Sequence, residues 1–394
     1  YAVQLLHQAG VPSEALQLVL GAGEVGAALT QDARIGGVIF TGSTEVARLI
    51  NQSLAKREDN PVLIAETGGQ NAMIVDSTAL AEQVCADVLN SAFDSAGQRC
   101  SALRILCVQE DVAEHMIGMI KGAMNELRVG NPMRLHTDIG PVIDAEAQQN
   151  LQNHIDKMKT AAKSYHQIKL PEYADNATFI APILFELNNL NELQREVFGP
   201  VLHVVRYRAD ELDSIIDQIN GKGYALTHGV HSRIDGTVEH IRSRIEAGNV
   251  YINRNIVGAV VGVQPFGGHG LSGTGPKAGG PFYLQKLSGI THWKQPTLSR
   301  IGSVDETALA RIQAQLHQLP LSQEQKLNLA ASAGRTRLQT LCGAESVLTG
   351  PTGERNVLSW HAPKKVWLYG GDLQQAFAAL TILAASGMEA IVAA

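Results

Sequence analysis

The sequence predicts an α/β protein: a mostly parallel sheet covered by helices, then a smaller α/β domain. Short apolar runs alternate with helical patterns over residues 1–250, and many of these runs end in glycine-containing turns. The alternation returns near the end of the chain, over 363–394. Strand–turn–helix units of this length form parallel sheets, because parallel strands need a long crossover connection. A chain of 394 residues is also expected to form more than one domain.

The first elements follow one another closely. Residues 15–20 form a short β run, which precedes the glycine-rich turn Gly21–Gly26 and a helical stretch to Leu29. Further strands are predicted over 36–40 and 62–65, with a helix over 45–55 between them. The later predictions are helices near 79–94, 111–127, 144–163 and 210–219, a glycine-rich loop region over 251–290, a linker from 295, mostly helix over 305–341 and strand–helix–strand over 363–394.

The composition is that of a soluble globular protein, with 45% hydrophobic and 18% charged residues. The net charge of −6 gives no long-range attraction to nucleic acid or to an anionic membrane. None of the four cysteines forms a CxxC pair, so neither a zinc site nor a redox dithiol is indicated. Few cysteines and no signal peptide favour a reducing cytoplasm.

The last apolar run, Phe377 to Ala394, carries Thr381, Ser386 and Glu389. We predict a buried helix followed by the start of a strand, not a membrane span. Because the chain starts without Met and stops inside this pattern, we expect both ends to be cut.

Cys100 is the first candidate for chemistry. The segment Phe93-Asp-Ser-Ala-Gly-Gln-Arg-Cys-Ser-Ala102 places it behind a glycine-containing turn and in front of small residues. That context is typical of a nucleophile presented to a substrate. A lone cysteine is more often a small buried hydrophobic residue, and the turn alone leaves both interpretations open.

Glu66 ends a predicted buried strand and is followed, after Thr67, by two glycines. Parallel sheets place ligands at the carboxyl ends of their strands, where a carboxylate of raised pKa can act as a base. A solvated strand-end glutamate is the simpler interpretation of Glu66 alone. The Gly-Gln-x-Cys turn further along the chain favours a base paired with a nucleophile.

Two turns are candidates for binding phosphate. Gly21–Gly26 matches the dinucleotide fingerprint, but no acidic residue follows at the expected distance. Thr41-Gly42-Ser43 is the better candidate, because Gly42 allows close backbone approach and Ser43 opens a helix. An ordinary N-cap explains Ser43 equally well.

His228 and His231 have a spacing seen in metal ligands. They lie on a strand pattern without partner carboxylates. No metal is therefore predicted there.

Five motifs together resemble the aldehyde dehydrogenase superfamily, and their order and spacing are specific to it. They are Phe40-Thr-Gly-Ser43, Glu66-Thr-Gly-Gly-Gln-Asn71, Gly97-Gln-Arg-Cys100, Glu196-Val-Phe-Gly-Pro200 and Pro265-Phe-Gly-Gly268. Asn253 to Gly268 and Gly270 to Pro281 further resemble the Δ1-pyrroline-5-carboxylate (glutamate semialdehyde) dehydrogenase module of bifunctional proline utilization A proteins. The dehydrogenase resemblance covers about 1–294. The part after about 298 resembles the C-terminal domain of the longer members, a degenerate aldehyde dehydrogenase cofactor domain.

The resemblance implies an aldehyde dehydrogenase fold and a division of the chain. The expected parts are 1–66, the end of a Rossmann-like NAD domain; 67–252, the catalytic domain; 253–297, a substrate-anchoring loop and tail; and 298–394, an incomplete aldehyde-dehydrogenase-like domain.

The resemblance also implies the chemistry. Cys100 attacks the aldehyde, hydride passes to NAD, and Glu66 activates the water that hydrolyses the thioester. The backbone N–H of Cys100 is the expected oxyanion donor. The residues expected to bind NAD are Thr41, Gly42, Ser43, Thr67, Gly68, Glu196 at the nicotinamide ribose and Phe198 near the ring. A loop carboxylate and a core aromatic are the plain alternatives for the last two.

By the same resemblance the substrate is L-glutamate γ-semialdehyde. The residues expected to bind it are Phe93, Ser101, Gly258, Ala259 and Phe266. Core packing is the ordinary role of an aromatic such as Phe93, and Arg99 is left unassigned. Succinate semialdehyde is the alternative substrate. The alternative from another functional class is an inactive structural piece, in which the 298–394 tail is a lid or assembly domain.

The resemblance predicts partners and also one difference between this sequence and the family's catalytic site. The expected partner is a proline dehydrogenase module in the same parent polypeptide, itself a homo-oligomer in the cytoplasm; no nucleic acid or membrane span is expected here. The family's side-chain oxyanion donor, an Asn, and an adenosine-binding Lys would precede Tyr1. Because losing one oxyanion donor typically costs about 10²–10³ in rate, this portion alone is expected to be less than fully active.

Overall fold

The computed structural model describes residues 1–172, 174, 177–289, 296–301, 310, 314, 321–362, 365–369, 373–386 and 388–392. The chain forms two compact units. The first comprises Tyr1–Ala259 and Phe266–Gly289, and the second comprises Val260–Pro265 and the described residues of Ile290–Ala394.

The first unit is built on a seven-stranded sheet. Its helices are α1 Ala2–Gln8, α2 Gly23–Gln31, α3 Thr44–Leu54, α4 Ala81–Phe93, α5 Glu110–Met124, α6 Ala145–Ala161, α7 Leu212–Asn220, α8 Asp235–Arg244 and α9 Tyr283–Ser288. Its strands are β1 Gly37–Thr41, β2 Val62–Glu66, β3 Ala72–Val75, β4 Ile105–Gln109, β5 Ser164–Gln167, β6 Ile183–Leu187, β7 Val201–Tyr207, β8 Tyr224–Ala225, β9 Thr227–His231, β10 Asn249–Ile252 and β11 His269–Gly270.

The strand order of the large sheet is β10-β9-β3-β4-β7-β6-β5. All neighbours are parallel except β5 and β6, which pair antiparallel. Every residue of β3 is buried, as expected for a central strand covered on both faces. Helices α4 and α5 bury one apolar face each, including Val84 and Val88 on α4 and Ile117 and Ile120 on α5. The predicted α/β class is confirmed.

Two short strand pairs lie beside this sheet. Strands β1 and β2 pair in parallel, with Thr41 opposite Glu66 at their carboxyl ends. Strands β8 and β11 pair antiparallel. The predicted strands at 36–40 and 62–65 and the helix at 45–55 are confirmed to within one residue at each end.

The β run predicted over 15–20 is wrong. The structure has no strand there, and the side chains of Leu18, Val19 and Leu20 are exposed. An apolar run becomes a strand only when a neighbour takes up its backbone hydrogen bonds, and no described strand pairs with this one. The turn before α2 therefore lacks the preceding strand that a dinucleotide fingerprint requires.

The second unit contains helices, two strand pairs and loops among its described residues. Its elements are α10 Gln323–Gln339, β12 Glu345–Leu348, β13 Asn356–Ser359, β14 Lys365–Leu368, α11 Leu373–Ala385 and β15 Glu389–Val392. Strands β12 and β13 are antiparallel, and β14 and β15 are parallel. The predicted strand–helix–strand at the end of the chain is confirmed, and α10 confirms part of the helix predicted over 305–341.

The Ser322 side chain caps α10 by accepting from the Gln325 N–H at 3.2 Å, and the Gln325 side chain returns a bond to the Ser322 N–H. The predicted linker start at 295 lies outside the described residues. Within the described part of the chain, no helix is both long and apolar enough to cross a membrane.

Candidate active site

Cys100 follows a tight turn at the end of α4. Ser95, Ala96 and Gly97 all have positive φ, at 56°, 55° and 65°. A Cβ on Gly97 would lie 2.2 Å from the Gly199 carbonyl oxygen. Glycine at this position therefore allows the cysteine turn to lie directly against the loop that carries Glu196.

The backbone beyond Cys100 is held by Asn71. Its side-chain Nδ2 donates to the Cys100 carbonyl at 2.6 Å and to the Ala102 carbonyl at 2.9 Å, and its Oδ1 accepts from the Thr227 N–H at 3.1 Å. The Thr227 hydroxyl donates to the Ser101 carbonyl at 3.2 Å. The residue before β3 and the first residue of β9 thus fix the chain on the C-terminal side of the nucleophile.

Arg104 joins the cysteine turn to the Glu196 loop. Its side chain is fully buried, and its guanidinium donates to three carbonyls and to one carboxylate. The acceptors are the oxygens of Gly97 at 2.6 Å, Arg99 at 3.0 Å and Gly199 at 3.2 Å and Glu196 Oε1 at 3.3 Å. Arg104 was not predicted as a site residue from the sequence, whereas Arg99 was considered and left unassigned. The signal that could have indicated Arg104 is its position four residues after Cys100.

Glu196 lies against the backbone that follows β2. A Cβ on Gly68 would be 1.7 Å from Glu196 Oε2, and the Gly69 N–H donates to this carboxylate. Burial raises the pKa of Glu196, and Arg104 opposes the rise. The Phe198 ring lies 5.1 Å from the Arg104 guanidinium carbon and stays 45% exposed. Glu196 and Phe198, the two residues predicted for the nicotinamide side, therefore both contact the Arg104 guanidinium.

Glu66 ends β2 with its two carboxylate oxygens in different surroundings. Oε2 accepts the Gly268 N–H at 3.2 Å, whereas buried Oε1 accepts no hydrogen bond from the described residues. Burial raises the pKa of Glu66 to about 7; Gly268 and Lys277 oppose the rise. A carboxyl group that ionises near neutral pH, with one oxygen without a protein partner, is suited to act as a base.

Cys100 lies within electrostatic reach of both carboxylates. Burial raises the pKa of its thiol, and Glu196 and then Glu66 add to the increase. The structure therefore brings together the predicted nucleophile, the predicted base and the predicted ribose ligand.

The turn after β1 lies against the carboxyl end of β2. The Gly42 N–H donates to the Glu66 carbonyl at 3.2 Å, and the Ser43 hydroxyl accepts from the Val46 N–H at 3.2 Å. Thr67 is buried and donates to the Leu271 carbonyl at 2.6 Å, which also accepts from Thr44 at 3.1 Å. Ser43 thus has the N-cap role weighed for it, and its predicted contact with a phosphate stays a prediction.

The family model described as the aldehyde dehydrogenase family matches residues 1–293. The chain belongs to the aldehyde dehydrogenase family. The resemblance inferred from the five motifs is confirmed.

Two curated relatives within that family are similar to most of this chain. The bifunctional protein PutA of Klebsiella aerogenes is 51% identical over 408 aligned residues, covering 99% of this chain and 31% of that protein. The 1-pyrroline-5-carboxylate dehydrogenase of Geobacillus kaustophilus is 35% identical, covering 76% of this chain and 58% of that enzyme. The chain thus spans about a third of the length of the PutA protein that it matches.

Solved structures agree with the fold. A crystal structure of bifunctional proline utilization A superposes with a TM-score of 0.71 at 58% identity, over 73% of this chain and 29% of that one. The 1-pyrroline-5-carboxylate dehydrogenase from Thermus with bound NAD gives a TM-score of 0.66 at 34% identity, over 72% of this chain and 55% of that one. The predicted aldehyde dehydrogenase fold is confirmed.

On the expected substrate side of this aldehyde dehydrogenase chain, helix α4 holds the start of the anchoring loop. The Ser91 hydroxyl accepts the Ile256 N–H at 3.1 Å, and the Asn255 N–H donates to the Asp87 carboxylate. Ser91 is buried, whereas Gly258, two residues beyond Ile256, is exposed with a φ of 75°. The sequence reasoning missed Asp87 and Ser91, which look like ordinary polar residues of a helix.

Replacing Ser91 with alanine should raise the KM for the aldehyde by about 3- to 10-fold with little change in kcat, because one buried hydrogen bond holding the loop is lost. Steady-state kinetics in the full-length protein measure this. Cys85→Ala is the matched control, since it truncates another buried side chain of α4 that contacts the Met119 carbonyl instead. An equal rise in KM in both variants would show that the loop bond is not responsible.

The other predicted substrate residues differ in exposure. Ser101 is buried next to the nucleophile, Ala259 is half-buried, and Phe266 is half-buried and pairs with Ala278. Phe93 is 1% exposed and belongs to the main core, which matches the core packing weighed for it. The predicted contacts of all of these residues with a substrate stay predictions.

The statement that the two strand histidines lack partner carboxylates is wrong for His231. Its Nε2 lies 3.5 Å from Asp87 Oδ2, because α4 packs Asp87 against β9. Burial lowers the pKa of His231 to about 4 and that of His228 to about 3, so both are neutral at pH 7. Over the described residues, no group of three or more histidines, cysteines or acids is placed to hold a metal ion.

Proposed function

We propose that this chain is the catalytic part of an NAD-dependent dehydrogenase that oxidises L-glutamate γ-semialdehyde to L-glutamate. In this proposal it belongs to a longer, homo-oligomeric, cytoplasmic protein that also carries a proline dehydrogenase module. The observation that carries the proposal is that Cys100 lies within electrostatic reach of both Glu66 and Glu196, the second of which is paired with Arg104. The PutA and 1-pyrroline-5-carboxylate dehydrogenase relatives support the substrate class.

The residues on the nicotinamide side suit NAD. A side chain on Gly68 would collide with Glu196, so bare backbone is needed there, and the Phe198 ring keeps an exposed face. Glu196 would bind the ribose, and Phe198 would pack near the ring. The residues proposed to complete the site are Thr41, Gly42, Ser43, Thr67 and Gly68. Bound NAD would accept the hydride that leaves the aldehyde carbon.

The chain's own residues perform the remaining steps. Cys100 loses its proton to water, and its sulfur bonds to the aldehyde carbon, with the carbonyl oxygen taking the negative charge near the Cys100 N–H. Loss of hydride leaves a thioester on the sulfur. Glu66 Oε1 then takes a proton from water as the water oxygen bonds to the thioester carbon, and the carbon–sulfur bond breaks to release the acid.

The selectivity of this site is the test of the proposal. We expect the full-length protein with NAD to show a kcat/KM for glutamate semialdehyde at least about 10-fold above that for succinate semialdehyde. Both aldehydes carry a carboxylate that the loop N–H groups of Gly258 and Ala259 can bind, so the preference rests on the α-ammonium group of glutamate semialdehyde, which donates to the Ser101 hydroxyl oxygen. A 10-fold ratio corresponds to about 1.4 kcal/mol. NADH absorbance measures both rates. A preference for succinate semialdehyde would exclude the proposed substrate.

A further inference from the structure

Lys277 lies on the far side of Gly267 from the proposed base. Antiparallel pairing of Phe266 with Ala278 brings the two segments together, with N···O distances of 3.0 and 2.8 Å. A Cβ on Gly267 would lie 2.8 Å from Glu66 Oε1 and 3.1 Å from the Lys277 Cα. A single glycine therefore separates the carboxylate from the backbone of the lysine.

Hydrogen bonds connect the two side chains through adjacent peptides. The Lys277 ammonium donates to the Gly248 carbonyl and to Asn249 Oδ1, the latter at 3.3 Å. The Gly267 N–H donates to the same Asn249 oxygen at 3.3 Å. The next N–H, that of Gly268, donates to Glu66 Oε2. Asn249 thus contacts both the lysine and the peptide next to the one that donates to Glu66.

We propose that Lys277 is a positioning residue that keeps Glu66 ionised and its Oε2 fixed, which leaves Oε1 as the oxygen without a protein partner. The proposal deepens, and rests on, the proposed function. It assigns a role to a lysine that the sequence reasoning did not consider.

The charges around Glu66 agree with this role. Among the described residues, Lys277 is the cation that lowers the pKa of Glu66 against the effect of burial. The Cys100 thiol also faces Glu66, and beyond it Glu196 is paired with Arg104. Burial lowers the pKa of Lys277 to about 8, and Glu66 opposes the decrease.

The pH window follows from these values. Glu66 becomes the active carboxylate as the pH rises through about 7. Lys277 loses its charge as the pH rises through about 8. Between about pH 7 and pH 8, Glu66 is therefore ionised while Lys277 still carries its charge.

The test compares Lys277→Met with Lys277→Arg in the full-length protein. Loss of the charge should move the acid limb of the kcat profile upward by about one pH unit, because the ionised carboxylate loses an opposite charge. The arginine variant keeps the charge, so its limb should stay within about 0.3 unit of the wild-type value. An unmoved limb in the methionine variant, or the same shift in both variants, overturns the proposal.

A second readout does not depend on turnover. Isotope-edited infrared spectra of ¹³C-glutamate-labelled protein, with Glu66→Gln subtracted, give the pKa of the Glu66 carboxyl directly. The same upward shift is expected in Lys277→Met, and its absence overturns the proposal even if the aldehyde is not the substrate. If the methionine variant does not fold, Lys277→Gln replaces it, since the amide is neutral and can still donate to the Gly248 carbonyl.

Discussion

Replacement of Cys100 with alanine should abolish NADH formation from the aldehyde, lowering kcat by about 10⁴-fold or more. The reason is that no other described side chain of this site can form the thioester: Cys107 and Cys85 are buried in the core, and Cys342 belongs to the second unit. Stopped-flow absorbance at the NADH band measures the first turnover as well as the steady rate. NAD affinity, measured by calorimetry, should remain close to that of the unaltered protein.

Glu66→Gln is the matched control for this experiment. It should retain a first-turnover burst of NADH while its steady rate falls by about 10²–10⁴-fold, because the base acts on the thioester after hydride transfer. A burst in the alanine variant would remove Cys100 from the mechanism. Loss of the burst in the glutamine variant would show that Glu66 acts earlier than proposed.

Replacement of Arg104 with methionine should lower the free energy of unfolding by about 3–5 kcal/mol. The variant leaves Glu196 without its cation and removes the donors to the carbonyls of Gly97, Arg99 and Gly199. Urea unfolding followed by circular dichroism, with the slope of the transition held constant, measures the change.

Arg99→Met is the matched control for that experiment. Arg99 is exposed, and its guanidinium donates to the Ser95 hydroxyl at 3.0 Å. Its replacement should change the unfolding free energy by less than about 0.5 kcal/mol. Equal losses in the two variants would mean that the buried network is not what stabilises the cysteine turn.

Local patterns predicted much of this site. The turn before Cys100, the strand that ends at Glu66 and the helix after Ser43 depend on residues next to one another in the sequence, and each lies where it was expected. The strand prediction over 15–20 was wrong because an apolar pattern cannot show whether a partner strand exists. His231 was misjudged because Asp87 reaches it from another element.

The sequence by itself determined the family, the α/β class and the identity of the proposed nucleophile and base. Only the tertiary structure decided how these groups are held. Arg104 meets Glu196 across 92 positions of the chain, and Asn249, Gly267 and Lys277 connect the base to a strand outside its own pair. A buried charge or polar group must find its partner wherever the fold brings one within hydrogen-bond distance, and sequence spacing does not record that distance.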